Sequence, residues 1–267
     1  MPTEDNYPTD GRRRFVKGVV GAASLAAVGS TSSGVLRTST EPGGAGGGRT
    51  EYVGIENIDG PAPRAMPQIP IEIDDDGYLK GRFPTDGPVQ IAGIEYSPRW
   101  FQYCGVQTYP GISPDADQDD YFRYPSRGIY RWQRDIEAGR RVHIDDFDDY
   151  ESWTNDHGTA GTGKPASVTW RSVGVDSETT IPVEIVRSPV IEHRAETDEW
   201  LAATTDRGFL AHLNKCTHFC CVPGFKTSNY RGEASATDRV YCQCHQSIYD
   251  PFSLVREWFV ALPRPTE

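Results

Sequence analysis

Two short segments rich in cysteine and histidine constrain this chain more than any other feature. The first box is Cys216-Thr217-His218-Phe219-Cys220-Cys221, and the second is Cys242-Gln243-Cys244-His245-Gln246-Ser247-Ile248-Tyr249-Asp250. Together they hold every cysteine of the chain except Cys104. Cysteines that cluster with histidines at short spacing indicate a metal site before they indicate a disulfide framework.

The spacing within each box supplies one thiolate and one imidazole on a tight loop. The first box offers Cys216 and His218, and the second offers Cys242 and His245. A 2Fe–2S cluster with two cysteines on one iron and two histidines on the other has this ligand set. A structural zinc site is the alternative, but zinc fingers usually pair cysteine with cysteine and histidine with histidine. The spacing therefore favours the iron–sulfur cluster.

Both boxes closely resemble those of the Rieske iron–sulfur family, C-T-H-x-G-C and C-P-C-H-x-S-x-[FY]-D, over about residues 208–251. The resemblance implies electron transfer through a 2Fe–2S cluster with Cys216 and Cys242 on one iron. His218 and His245 would bind the other iron, which takes up the electron. Neutral imidazoles in place of two thiolates raise the reduction potential.

The resemblance also assigns roles to four residues around the ligands. It implies a disulfide between Cys221 and Cys244 that ties the two loops together. Ser247 and Tyr249 would donate hydrogen bonds to a bridging sulfide and to a cysteine sulfur. Such donors stabilise the more negative reduced cluster and so raise its potential.

The boxes depart from the family pattern at three positions, which affect the loop backbone and the disulfide assignment. Cys220 and Gln246 stand where the family has glycine or often has it, and Gln243 stands where it often has proline. Glycine at such a position can serve a turn that other residues resist. Cys220 also leaves an even pair with Cys104, which suggests a second disulfide; two isolated thiols are the alternative.

The N-terminal segment resembles a twin-arginine export signal. Arg12-Arg13-x-Phe15-Val16-Lys17 precedes a mildly apolar stretch, Val19–Val28. We assign residues 1–38 to a signal or a retained membrane anchor; an amphipathic helix with arginines by chance is the alternative. Residues 39–51, with Gly43–Gly48, form a flexible linker that would act as a hinge.

The remaining chain, residues 52–267, predicts a mainly β domain. Short β-branched or aromatic runs bounded by turn residues occur at 68–74, 88–96, 167–173, 180–186 and 208–213. The resemblance implies an antiparallel β-sandwich with a small cluster-binding part, residues 208–251. An irregular insertion covers about residues 97–165, and any helix within 119–139 is interrupted by Pro125 and Gly128.

The acidic charge balance argues against partners that are themselves negatively charged. The chain has 38 Asp and Glu against 27 Lys and Arg, a formal net charge of −11. This argues against nucleic acid and against an anionic membrane surface. The acidic, lysine-poor composition is similar to that of salt-adapted, halophile proteins, and an ordinary acidic protein is the alternative.

An exported protein that has the disulfide pair resembles members of the high-potential, quinol-linked branch of the Rieske family. We therefore expect an electron-transfer subunit of a membrane quinol-oxidising complex of the cytochrome bc type, similar to quinol–cytochrome c reductase. It would be anchored in the cell membrane with its cluster domain on the outer face. Its partners would be a cytochrome b-type subunit, quinol and a soluble cytochrome or copper protein.

Two other functional hypotheses remain for this chain. The chain could be the small Rieske subunit of another exported enzyme, of the nitrate reductase or arsenite oxidase type. A soluble oxygenase-type ferredoxin is a third reading, but such proteins usually lack the disulfide pair and are cytoplasmic, where disulfides rarely persist.

A proline-rich segment upstream of both boxes, Gly60–Pro67, resembles the loop that normally follows the second box and covers the cluster. We expect it to cover the cluster here, with Gln68–Asp74 in the base sheet. Ile69, Ile71 or Ile73 would then be buried beside the strands that flank the boxes, and Pro61 or Pro63 would approach Cys221 or Cys244. The alternative is that Gly60–Pro67 is a proline-rich extension of the linker and that Ala261–Pro265, after the second box, is itself a short cover.

Overall fold

Antiparallel β-strands dominate the structure, as the sequence predicts. A computed structural model describes residues 48–102, 118–175, 180–227 and 237–261. The strands are β1 Gly48–Asp59, β2 Met66–Ile69, β3 Ile71–Ile73, β4 Leu79–Gly81, β5 Val89–Ile91, β6 Ile94–Tyr96, β7 Lys164–Trp170, β8 Ile181–Arg187, β9 Phe209–Leu213, β10 Gly224–Phe225, β11 Val240–Tyr241 and β12 Ile248–Ala261. The helices are α1 Pro189–Ala195 and α2 Glu199–Thr204, with 3-10 turns at Pro98–Phe101, Arg131–Gln133 and Ile144–Phe147.

One eight-stranded sheet carries both boxes. Its order is β10-β11-β12-β1-β2-β9-β8-β7, and β3-β4 and β5-β6 form separate hairpins. The first box follows β9, and the second box connects β11 to β12. The strands therefore deliver both boxes from fixed positions in the same sheet.

The longest pairing joins strands from the two ends of the described chain. β1 and β12 run antiparallel from Gly48 opposite Ala261 to Asp59 opposite Ile248, with two register shifts. The linker expected to extend to residue 51 therefore gives way to strand at Gly48. The sequence analysis did not identify β12, whose Pro251 interrupts the alternation of polar and apolar residues.

The core lies beneath this sheet and contains many aromatic side chains. Trp100 and Trp200 stack with ring centroids 5.7 Å apart, and both are buried. The insertion packs onto the same core, because Phe147 meets Phe209 of β9 edge to face at 5.0 Å. The irregular segment is thereby attached to the strand that leads into the first box.

Helices form where the sequence analysis expected none. Ser188 and Asp198 cap α1 and α2, since each side chain accepts hydrogen bonds from backbone N–H groups of the first turn. Within the segment 119–139, the described helical structure is the single turn Arg131–Gln133. There the Gln133 amide donates to the Ser167 carbonyl at 2.9 Å and accepts from its N–H at 3.0 Å.

The predicted signal or anchor, residues 1–38, lies outside the described residues, as does the linker up to Gly47. Among the described residues, the helices are too short and too polar to cross a membrane.

Candidate metal centre

The first box folds into a turn that closes on itself. The Cys216 N–H donates to the Cys221 carbonyl at 2.8 Å, and the Cys220 N–H donates to the Cys216 carbonyl at 3.0 Å. Cys220 has a φ of 63°, the left-handed conformation in which non-glycine residues are disfavoured by about 1 kcal/mol. The Rieske boxes that this segment resembles have glycine at this position.

The second box repeats the same closure. The Cys242 N–H donates to the Ser247 carbonyl at 2.9 Å, and the Gln246 N–H donates to the Cys242 carbonyl at 2.9 Å. Gln246 also adopts a positive φ, 64°. Both departures from glycine thus occur where the backbone is left-handed, and the chain keeps the conformation without the residue that adopts it most easily.

A disulfide between Cys221 and Cys244 joins the two loops, as the resemblance implies. Their Cα atoms are 6.6 Å apart. Cys220 is also a disulfide cysteine, whereas Cys104, its expected partner, lies outside the described residues. The loops are therefore covalently tied beside the two remaining cysteines of the boxes.

Those two cysteines, Cys216 and Cys242, keep their thiol groups and are almost fully buried. A hydrogen bond from the Cys242 thiol is the main factor that lowers the pKa of Cys216 to about 5, with further donation from Tyr249. The same bond raises the pKa of Cys242 above its usual range. The pair therefore favours a thiolate at Cys216, and thiolates are what a metal requires.

Backbone N–H groups also point at both sulfurs. The N–H of His218 donates to the Cys216 sulfur, and the N–H groups of Cys244 and His245 donate to the Cys242 sulfur. These donors stabilise negative charge on the sulfurs without adding a cation. The tight loops create this arrangement because each places successive N–H groups around its own cysteine.

The two histidines of the boxes meet at the tip of the loops. The ring centroids of His218 and His245 are 4.7 Å apart, with an interplanar angle of 78°. His245 is exposed and His218 is half-buried. The Nδ1 atom of His218 is buried and has no hydrogen-bond partner within the described residues. An orphaned imidazole nitrogen on the same tight loop as a buried thiol fits a metal ligand.

A second group of sulfurs does not offer a metal site. The sulfur atoms of Cys221, Cys242 and Cys244 lie within 4.8 Å of one another. Cys221 and Cys244 are bonded to each other, so their sulfurs are not thiolates. Within this group Cys242 alone has a free sulfur, and it pairs with Cys216.

The two predicted hydrogen-bond donors both reach Cys216. The Tyr249 hydroxyl lies 3.3 Å from the Cys216 sulfur and accepts from the Thr217 N–H at 3.2 Å. Burial, followed by this contact with Cys216, raises the pKa of Tyr249 above its usual range. The Ser247 hydroxyl is also hydrogen-bonded to Cys216 and accepts the Ala62 N–H at 3.2 Å.

The proline-rich segment lies between the two boxes. Besides the contact between Ala62 and Ser247, the Thr217 hydroxyl donates to the Arg64 carbonyl at 2.6 Å. Gly60 has a φ of 89°, and a Cβ there would stand 2.6 Å from the Ser247 Cα. Ile69 is fully buried in β2, beside β9, which confirms one consequence of the relocated cover. The approach of Pro61 or Pro63 to the disulfide stays a prediction.

A buried glutamic acid that no sequence motif predicts holds the base of the first loop. Glu184 of β8 accepts from the Asn214 amide at 3.2 Å and from the Phe225 N–H at 3.3 Å. These residues stand at the two ends of the loop that presents the first box. The Tyr130 hydroxyl also donates to Glu184, while burial raises the pKa of Glu184 to about 8. Asn214 further donates to the Pro223 carbonyl at 3.0 Å.

The centre therefore consists of two buried thiols and two adjacent imidazoles on loops joined by a disulfide. Comparison of the chain with protein-family models, with curated proteins and with solved structures gave no match.

Proposed function

We propose that this protein is a Rieske-type electron carrier. Cys216 and Cys242 would hold one iron of a 2Fe–2S cluster, and His218 and His245 would hold the other. The observation that carries the proposal is the imidazole pair, 4.7 Å apart, beside two buried thiols that share a hydrogen bond. When bound, such a cluster takes up and releases one electron at a time.

The residues around the thiols favour a high reduction potential. Tyr249, Ser247 and the N–H of His218 all donate to the Cys216 sulfur. Each donor stabilises negative charge, and the reduced state carries more of it. Because each hydrogen bond strengthens when the sulfur gains charge, the donors shift the equilibrium towards reduction.

The exposed tip is where we propose that redox partners approach. His245 is exposed, and the neighbouring Phe219 has 66% of its surface accessible. An apolar ring beside a polar imidazole suits a partner that brings an apolar surface with one hydrogen-bond donor, as a quinol does. His245 or His218 would accept that hydrogen bond. A bound metal ion would lower the pKa of the imidazole, so that its proton is released more readily than from a free imidazole.

We further propose that the carrier is the anchored subunit of a cytochrome bc-type complex on the outer face of the cell membrane. The twin-arginine motif and a disulfide between Cys221 and Cys244 both suit an oxidising compartment. The cytochrome b-type subunit, quinol and a soluble cytochrome or copper protein are the partners that this reading requires. We also propose that the antiparallel sheets form the β-sandwich that is typical of Rieske proteins.

Purified protein tests the cluster directly. We expect equal amounts of iron and acid-labile sulfide, an electron paramagnetic resonance signal after reduction, and a potential between about −150 and +300 mV. His245→Ser should abolish the signal, while His193→Ser, at an imidazole 84% exposed outside the boxes, should leave it intact. One zinc per chain without sulfide would refute the proposal.

The parent complex needs a separate experiment. Solubilised native membranes should yield this chain together with a cytochrome b and quinol-dependent reduction of cytochrome c. Co-purification with a molybdopterin subunit would instead assign the chain to an enzyme of the nitrate reductase or arsenite oxidase type, and would leave the cluster assignment unchanged.

A further inference from the structure

A cleft of about 710 Å³ lies beside the cluster-binding loops. The insertion forms one wall through residues of 129–134 and 153–157, and the other wall comes from residues 222–227 with Tyr241 and Gln243. The four proposed iron ligands do not line it. Its volume lies in the range of small-molecule sites.

The charge of the cleft is opposite to that of the whole chain. Among the described residues that line it, Arg131, Arg134 and Lys226 are the strongly basic ones and Asp156 is the single acid, in a protein of net charge −11. Arg131 and Asp156 are 3.8 Å apart, and both side chains are about 80% exposed, so water screens their attraction. Local positive charge in an acidic protein attracts a small anion.

Lys226 adds little to this charge, because a carboxylate oxygen of Asp238 lies 3.9 Å from its Nζ atom. Its side chain is buried, and its Nζ atom donates to the carbonyls of Thr159 at 2.7 Å and Gly163 at 2.8 Å. Arg131 and Arg134 are exposed, and their guanidinium groups are free to turn towards an acid group in the cleft. Arginine matches a carboxylate with paired hydrogen bonds.

The walls also carry apolar surface that an occupant would cover. Ile129 and Val222 both line the cleft and are 48% and 49% exposed. Trp153, half-buried, meets Tyr130 edge to face at 6.5 Å and keeps part of its ring accessible to the cleft. A flat apolar group between these side chains would remove their surfaces from water.

We propose that this cleft binds a small organic anion that carries an apolar ring, of the aromatic carboxylate class. Arg131 and Arg134 contact the acid group, while Ile129, Val222 and Trp153 cover the ring. The proposed ligand and the geometry of the cleft do not depend on the function that we propose for the cluster. This proposal gives the insertion a role in ligand binding, in addition to its contacts with the sheet.

Calorimetric titration of the full-length, cluster-loaded protein with 2-naphthoate tests the site. We expect a dissociation constant below about 1 mM, as a ligand of this size allows. The neutral isostere 2-naphthamide and the ringless anion acetate should each bind at least about tenfold more weakly, because each lacks one half of the recognition. Equal affinity for naphthoate and naphthamide would overturn the proposal.

Matched variants locate the binding. Arg131→Gln with Arg134→Gln should weaken naphthoate at least about tenfold, and Arg207→Gln, at an exposed arginine outside the cleft, should not. All three arginines are exposed, so folding is expected to persist, and circular dichroism checks it. Unchanged affinity in the double variant, or no heat at millimolar naphthoate, would refute the site.

Discussion

The Tyr249 hydroxyl lies 3.3 Å from the Cys216 sulfur. It also accepts the Thr217 N–H at 3.2 Å and lies 3.2 Å from the Thr217 hydroxyl. Donation of its proton to the sulfur is one of the contacts that lower the pKa of Cys216. β12 begins one residue before Tyr249, so the strand fixes the position of the donor. This contact connects strand β12 of the eight-stranded sheet to the candidate metal centre.

Tyr249→Phe should lower the reduction potential by roughly 40–70 mV. The estimate corresponds to about 1–1.5 kcal/mol for one hydrogen bond to a charged group and one electron. Potentiometric titration measures it. Tyr150→Phe, which removes a hydroxyl bonded to Glu192 at 2.8 Å, should leave the potential unchanged. Equal potentials in wild type and Tyr249→Phe would show that the hydroxyl does not act on the sulfur.

Replacing Cys221 and Cys244 together by serine should release the cluster at lower temperature. The disulfide spans a sequence separation of 23 residues, and closing a loop of that size stabilises a protein by about 3 kcal/mol. Loss of visible absorbance during heating measures the effect. Ser126→Ala, at an exposed serine outside the boxes, is the comparison variant, since it leaves every disulfide intact. Identical melting of the double variant and wild type would contradict the expectation.

The buried Glu184 predicts loss of stability with rising pH. Burial raises its pKa in the folded protein to about 8, so below that pH the folded state binds a proton that the unfolded state releases. Its contribution is complete below pH 4.5, the ordinary value, and is lost as pH rises towards 8. The cost is roughly 1.4 kcal/mol per pH unit within this window, as an upper bound.

His212 has the opposite effect at lower pH and defines the useful range. Burial lowers its pKa from 6.5 to about 4, so its contribution to stability is lost as pH falls from 6.5 towards 4. Between pH 6.5 and 8 the Cys216 thiol, whose pKa is lowered to about 5, acts in the opposite direction, so the effect of Glu184 is measured as a difference between variants. From pH 6.5 to 8, the melting temperature of wild type should fall by several degrees relative to that of Glu184→Gln. Glu137→Gln, at an exposed site, should behave as wild type; a similar fall in Glu184→Gln would contradict the assignment.

Gly60→Ala should destabilise the protein and disturb Ser247. The added Cβ would stand 2.6 Å from the Ser247 Cα, on a backbone with φ of 89°. We expect a loss of at least about 2 kcal/mol, from backbone strain and steric overlap together. Chemical denaturation measures it, and the potential should fall as Ser247 moves from Cys216.

Gly93→Ala separates strain from overlap. Gly93 also has a positive φ, 76°, but no atom lies within 4 Å of its added Cβ. It should cost only about 1 kcal/mol and leave the potential unchanged. If both variants lost the same stability, contact between Gly60 and the second box would be irrelevant.

Local spacing was enough to predict the residues of the centre. Cys216 and His218, like Cys242 and His245, are separated by one or two residues, so one tight loop presents both side chains of each pair. Strands β7, β8 and β9 were likewise evident from short apolar runs. The caps Ser188 and Asp198 were available as signals for α1 and α2, although the sequence analysis did not use them.

Only the tertiary structure decided what surrounds those loops. The pairing of Gly48 with Ala261, the contact of Ala62 with Ser247 and the bond of Tyr130 to Glu184 join residues far apart in the chain. No local periodicity encodes such pairs, because they depend on which apolar faces are buried against each other when the sheet assembles. The sequence by itself determined which side chains can bind a metal. Packing decided which hydrogen-bond donors and which proline-rich segment contact their loops, and which buried acid lies at the base of the first loop.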